Sequence, residues 1–199
     1  MREPGVAEDG SQYPARDRAQ VHLVGGRIYE VKTMQVNYTT YDIRRDYDII
    51  NPKKHADVIS VTPDFDPGSC CSPSGHPFRY AKVLGIYHAD VVHVQPDHEA
   101  TIETVHFLWV RWYRFDESHK SGFQYRRLPR ISPIPLDDDG ACGFLDPADV
   151  IRGAHIIPAF SYGKNSTDNL NDKSALPWNF YYMNWCVQLL SHKFDCVFK

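Results

Sequence analysis

Two long β-prone runs, residues 78–88 and 104–115, constrain this chain more than any other feature. Side chains alternate between the two faces of a strand, so runs of this length commit the backbone to extended structure. The first run sets Phe78, Tyr80, Lys82, Leu84, Ile86 and His88 against Arg79, Ala81, Val83, Gly85 and Tyr87. The second sets Val105, Phe107, Trp109, Arg111, Tyr113 and Phe115 against His106, Leu108, Val110, Trp112 and Arg114. Both faces are apolar at the centre, as expected of a curved strand in a small barrel. Gly85, in mid-strand, signals a bulge or a close backbone approach.

Shorter segments point to the same architecture. Two β-prone stretches flank Gly25-Gly26 and read as a first hairpin. Residues 34–41 and 57–62 read as strands, separated by a charged stretch and a turn at Asn51-Pro52. Pro63, Pro67, Gly68, Pro73, Gly75 and Pro77 then punctuate a long loop. Residues 123–131 are a further strand candidate, Asp146-Pro147 opens one helical turn with Asp146 as its cap, and residues 151–160 return to strand. The aromatic stretch 178–190 fits helix or strand. Many short strands with almost no amphipathic helix select a mainly β fold, a small partly open barrel with short helical turns, over a βαβ fold. The expected layout is a flexible arm at 1–20, the barrel at 21–160, a polar linker at 161–175 and an aromatic C-terminal segment at 176–199.

Composition narrows the function classes. With 22 Lys and Arg against 25 Asp and Glu, the net charge is −3, too small to hold a chain unfolded and far from the basic footprint of an autonomous nucleic-acid-binding domain. The longest apolar stretches are four residues, such as Phe107 to Val110, against the roughly 20 that cross a bilayer as a helix. The first residues form no apolar signal region, so an intracellular location is expected. Cys70, Cys71, Cys142, Cys186 and Cys196 show no CxxC spacing and read as free thiols.

Catalytic and metal-binding patterns are weak. No GxGxxG follows a strand and no GxxxxGK[ST] occurs, which removes the usual kinase, ATPase and dehydrogenase readings. GxSxG, HExxH and the HxE with PCxxC pattern are missing as well. His88, His93 and His98 recur at a spacing that matches neither a strand face nor a helix face, and Cys70-Cys71 with His76 lacks a fourth ligand. Asp137, Asp138 and Asp139 before Gly140 read as a solvated turn. No enzyme activity, metal or cofactor is expected. Arg111, Arg114, Lys120, Arg126, Arg127 and Arg130, interleaved with aromatic residues, form the one basic span, suited to a phosphate backbone or an acidic partner. For Phe107 and Trp109 a place in the core is the expected reading.

Several collinear blocks resemble the C-terminal part of the fungal Plavaka-type, CACTA-related transposases. They are Val36-Asn37-Tyr38-Thr39-Thr40-Tyr41-Asp42-Ile43-Arg44-Arg45-Asp46, Asn51-Pro52, the run from His76-Pro77 to His88, Phe107-Leu108-Trp109-Val110-Arg111-Trp112, and Phe144-Leu145-Asp146-Pro147 onward to Phe160. The resemblance covers residues 33–160 and implies a piece of a mobile element, or of a host protein descended from one, without its catalytic domain. The order of strands is also similar to bromo-adjacent homology modules, β-barrels of chromatin proteins that bind histone tails or other proteins. The expectation is therefore a non-catalytic nuclear interaction module. Its ligand would be a histone tail, another protein or, weakly, DNA. Tyr80, Tyr87, Trp112 and Tyr113 would form its aromatic surface, and Arg111, Arg126, Arg127 and Arg130 its basic rim. The alternative is a degenerate fragment or assembly domain marked by a large exposed apolar patch.

Overall fold

The computed structural model describes residues 20–40, 44–62, 78–94, 100–165, 174–184 and 196–198. The expected arm, the 63–77 loop with Cys70, Cys71 and His76, and most of the residues after Asn184 lie outside them. The strands are β1 (Val21–Leu23), β2 (Tyr29–Val31), β3 (Met34–Thr39), β4 (Arg45–Ile50), β5 (Asp57–Val61), β6 (Phe78–His93), β7 (Ile102–Phe115), β8 (Arg130–Pro133), β9 (Cys142–Leu145), β10 (Val150–Gly153), β11 (Ile156–Pro158), β12 (Tyr181–Met183) and β13 (Cys196–Phe198). The fold is mainly β, and its sheet is curled and open, as expected from the sequence.

The chain divides into two compact units. In the smaller one, β1 lies antiparallel on the far end of β6, with Val21 opposite His93 and Leu23 opposite Val91. Tyr29 stacks on His88 at 5.1 Å, and the Thr104 hydroxyl donates to Asp90. Ala89 is its buried apolar side chain, whereas Leu23, Ile28 and Ile102 are exposed. The hairpin expected around Gly25-Gly26 does not form. Both glycines do adopt the positive φ of a turn, but β1 and β2 each pair with β6 rather than with each other.

The larger unit holds the strand path β10-β5-β6-β7-β8-β12-β11, with β9 on β7, and a second sheet ordered β13-β3-β4. Its centre is β7, buried on both faces. Leu108, Val110 and Trp112 join Met34, Val36, Ile50, Val58, Val83 and Ile86 in one core. From the opposite face Tyr113 joins Ile59, Tyr80, Ile131, Ile151, Leu176, Tyr181 and Met183 in another. On β6 the alternation slips by one residue, because Val83 and Ile86, three apart, enter the same core. The slip falls at Gly85, where a Cβ would collide with the ring of Tyr87, so the glycine leaves room for that ring to lie across the strand.

Other segments follow local chemistry. Asp146 caps its turn as expected: its carboxylate accepts the Ala148 N–H at 2.8 Å, with Pro147 in the first position. The 123–131 stretch is not one strand; a single 3₁₀ turn at Phe123–Tyr125 ends at Arg126 in the left-handed region, φ 51°, and β8 begins only at Arg130. The 151–160 stretch divides into β10 and β11. The ambiguous aromatic stretch supplies strand β12, paired with both β8 and β11.

Candidate functional site

The residues expected to form an aromatic surface separate. Tyr80, Trp112 and Tyr113 are buried at 2%, 7% and 8% exposure and serve the two cores. Tyr80 meets Phe115 edge to face, Trp112 lies beneath the Arg79 guanidinium at 3.8 Å, and Tyr113 donates its hydroxyl to Asp57 at 2.9 Å. Of the four, Tyr87 alone takes part in an outer aromatic cluster, stacked on Phe107. Phe107 and Trp109, expected in the core, are only half-buried. They gather around Phe144, which is 70% exposed, with ring centroids at 5.6 and 4.9 Å. The surface aromatic patch is therefore Tyr87, Phe107, Trp109 and Phe144 on neighbouring strands.

The basic rim also separates. Arg111 is fully buried, its Nη1 donating to the Ser174 carbonyl at 2.7 Å and its Nη2 to that of Ile134 at 3.0 Å. The planar guanidinium fork presents one N–H to each carbonyl, which accounts for an arginine at the centre of β7. Arg130 is mostly buried against an edge-to-face ring pair: its guanidinium lies 4.4 Å from the Tyr162 centroid and 4.5 Å from that of Phe180, and it pairs with Asp116 at 2.6 Å. Arg126 and Arg127 are exposed, and among the described residues neither guanidinium has a hydrogen-bond or ion-pair partner.

Arg127 borders an open cleft of about 380 Å³ whose other walls are His119, Leu128, Tyr162 and Tyr182. His119 is held by a ring-nitrogen hydrogen bond to the Leu128 carbonyl, 3.2 Å, and its ring leans on Tyr182. Partial burial and the hydrogen bond with Tyr162 push the Tyr182 phenol up, against the opposing pull of Arg130. Phe160, 66% exposed, stands on the same short turn as Tyr162 and meets Trp178 edge to face. This face joins rings, hydroxyls and unpaired cations, which suits a planar, anionic ligand. Sequence reasoning found Arg126 and Arg127 but missed His119, Tyr162 and Tyr182, because Tyr162 fell in the stretch read as linker.

A second cleft, about 470 Å³, runs between residues 47–50 of β4 and residues 152–155, with His55 and Asp57 on its wall. Asp48 spans it: Oδ2 accepts the Gly153 N–H at 2.9 Å and Arg152 Nε at 3.2 Å, while the Arg152 guanidinium rests on Tyr38 at 4.1 Å.

Two carboxylates respond to pH in opposite directions. Burial raises Asp57, against the smaller lowering by the Tyr113 hydroxyl and Lys82. At Asp116 partial burial works upward, but hydrogen bonds from Ser118 and Arg130 outweigh it and hold the carboxyl below its usual range. A lowered carboxyl stabilises the fold above its unfolded pKa and loses that contribution as pH falls through its folded value. Asp116→Asn should therefore cost about 1–2 kcal/mol at neutral pH, from charged hydrogen bonds near the surface, and much less at acid pH. For a raised carboxyl the sign reverses: ionised Asp57 carries a penalty above its folded pKa that is relieved as pH falls. Asp57→Asn should thus gain relative to wild type at neutral pH, with the difference closing in acid. Thermal melts of both variants across pH check the two signs.

In comparisons with protein-family models, curated proteins and solved structures, no match to this chain was found.

Proposed function

We propose that the chain is a non-catalytic interaction module of transposon origin that contacts nucleoprotein in the nucleus through the face around Arg127. The observation that carries this reading is the unpaired Arg126–Arg127 couple beside a cleft walled by His119, Tyr162 and Tyr182. The two guanidiniums take phosphate oxygens of a nucleic-acid strand, and the exposed rings of Tyr162 and Phe160 take its bases. The resemblance of five sequence blocks to the C-terminal part of Plavaka-type transposases supports the same reading, since it sets the chain beside proteins that handle DNA. A methylated lysine is disfavoured at this face, because Arg130 already occupies the Tyr162 and Phe180 ring pair.

The test is fluorescence anisotropy with a short single-stranded oligonucleotide at several salt concentrations. Arg126→Ala with Arg127→Ala should weaken binding. It should also flatten the log–log salt dependence by about 1.4, at roughly 0.7 per phosphate contact of a single strand. Equal slopes for the variant and the wild type would remove the two arginines from the site.

A second reading, an assembly domain that packs against another part of a longer protein, draws on the aromatic patch around Phe144. On that reading Phe144→Ser sharply lowers the uptake of a hydrophobic dye by the folded chain and leaves oligonucleotide binding unchanged.

A further inference from the structure

We infer that the Arg127 face takes the junction at which a DNA duplex opens into a single strand, with Phe123 stacked on the last base pair and the freed strand led into the cleft. The inference rests on the nucleic-acid reading of that face and names the form of ligand it selects. Phe123 is 83% exposed, the highest value among the exposed large apolar side chains of the described residues. A lone exposed ring is ordinary by itself. Here the backbone is built to hold it out. Gly122 opens the loop at φ 109°, a conformation that other residues rarely adopt, and its N–H donates to the Arg127 carbonyl at 2.9 Å. The Tyr125 N–H donates to the Gly122 carbonyl at 3.1 Å and the Arg126 N–H to that of Phe123 at 3.2 Å, with Arg126 itself in the left-handed region. Residues 122–127 are thus a closed tip fixed by its own backbone hydrogen bonds. It carries Phe123 near its start and Arg127, a wall of the cleft, at its end.

Charge and shape select the occupant. Residues 118–136 contain no carboxylate, and Lys120, Arg126 and Arg127 are exposed on or beside the tip. Of the two acids just before them, Asp116 is tied to Arg130, which leaves Glu117 against three cations. A polyanion fits this balance. The cleft and the tip ask for different parts of it. The cleft, about 380 Å³, is recessed and admits an unstacked nucleotide, whereas the projecting Phe123 needs a flat surface set against its ring. The interior of a duplex supplies neither, since its base pairs are covered by their stacking neighbours and its bases are paired. A junction supplies both: an uncovered base-pair face and an unpaired strand leaving from it. Apolar side chains on other DNA-bound folds meet base-pair faces in the same way. A lipid surface is a poorer partner, because Gln124, between the rings of Phe123 and Tyr125, would have to enter with them.

The experiment uses the full chain and the anisotropy of three labelled DNAs with equal numbers of phosphates: a single strand, a blunt duplex, and a duplex that continues into a single-stranded tail. Wild type should bind the tailed duplex at least about tenfold more tightly than the single strand, the order of one stacked base, and more tightly than the blunt duplex. Phe123→Ala, a change at an exposed side chain, should bring the ratio of tailed duplex to single strand close to one. Phe123→Trp should keep that ratio, and Phe123→Leu, apolar but without a ring face, should recover little of it. Arg126→Ala with Arg127→Ala should weaken both DNAs and leave the ratio standing. The two readings therefore fail separately: loss of the ratio alone ends the junction assignment, whereas single-strand binding unmoved by the arginine pair ends the cleft reading. Equal affinity of wild type for the single strand and the tailed duplex, a ratio insensitive to Phe123→Ala or restored by Phe123→Leu, or Phe123-dependent adsorption to vesicles rich in phosphatidylserine would each overturn the assignment. Absence of binding to all three DNAs by folded wild type would overturn both readings.

Discussion

Replacing Arg111 with alanine is expected to destabilise the larger unit by about 3–6 kcal/mol, taking roughly 1.5–3 for each of two hydrogen bonds from a buried charge. The side chain is fully buried, and its two terminal nitrogens hold carbonyls from segments far apart in sequence, Ile134 after β8 and Ser174 before β12. Truncation leaves both acceptors in a dry interior and opens a cavity beside Tyr113. Arg111→Met restores most of the volume but neither donor, so it should recover only part of the loss. Arg111→Lys keeps the charge yet lacks the fork that spans both carbonyls, and should fall between the other two. Since a domain's whole stability is of order 5–15 kcal/mol, the alanine variant should melt far below wild type in a urea titration. A shift no larger than that of a surface substitution would show that the two carbonyls find other donors.

Leu108→Ala should cost about 2–5 kcal/mol, the range for removing a buried leucine from a packed core. Leu108 has no exposed surface and sits among Val83, Val110 and Leu145 in the first core. One strand over, Phe144 is opposite Trp109 in the β7–β9 register and largely exposed. Phe144→Ala should therefore cost only about 1 kcal/mol, the worth of its aromatic contacts. Chemical denaturation of the two variants side by side measures the contrast.

The sheet was legible in the sequence because its signal is local. The alternation in β6 and β7, the Asp146-Pro147 cap and the turn after Asn51 each depend on neighbours within a few residues. The working faces were not legible, for a reason that lies in β7. A strand buried on both sides alternates apolar residues everywhere, so periodicity cannot say which end of which face meets solvent. On one face Tyr113 and Arg111 are covered by residues 131–134 and 174–183, whereas Trp109 and Phe107, on the same side further back, are only partly covered. That covering comes from chain 23 and 63 residues away from Arg111, beyond any local pattern. Charge misled in the opposite direction at β4, where Arg45, Asp46 and Asp48 read as a break but belong to an edge strand that leaves Arg45 and Asp46 exposed and turns Asp48 onto Gly153 and Arg152. Arg126 and Arg127 were found because adjacent arginines at a turn need no tertiary context to be exposed. Tyr162 and Tyr182 were missed because their convergence on His119 depends on β12 docking between β8 and β11.

The central claim, a nucleic-acid contact at the Arg127 face, is tested most directly by following the amide and aromatic resonances of the isotopically labelled chain as a single-stranded oligonucleotide is added. The account predicts shifts concentrated at His119, Arg126, Arg127, Leu128, Tyr162 and Tyr182, lost at high salt, with Tyr47 and Ile49 of the second cleft unmoved. Shifts centred on Tyr87, Phe107 and Phe144, or no shifts at any oligonucleotide concentration, would contradict it.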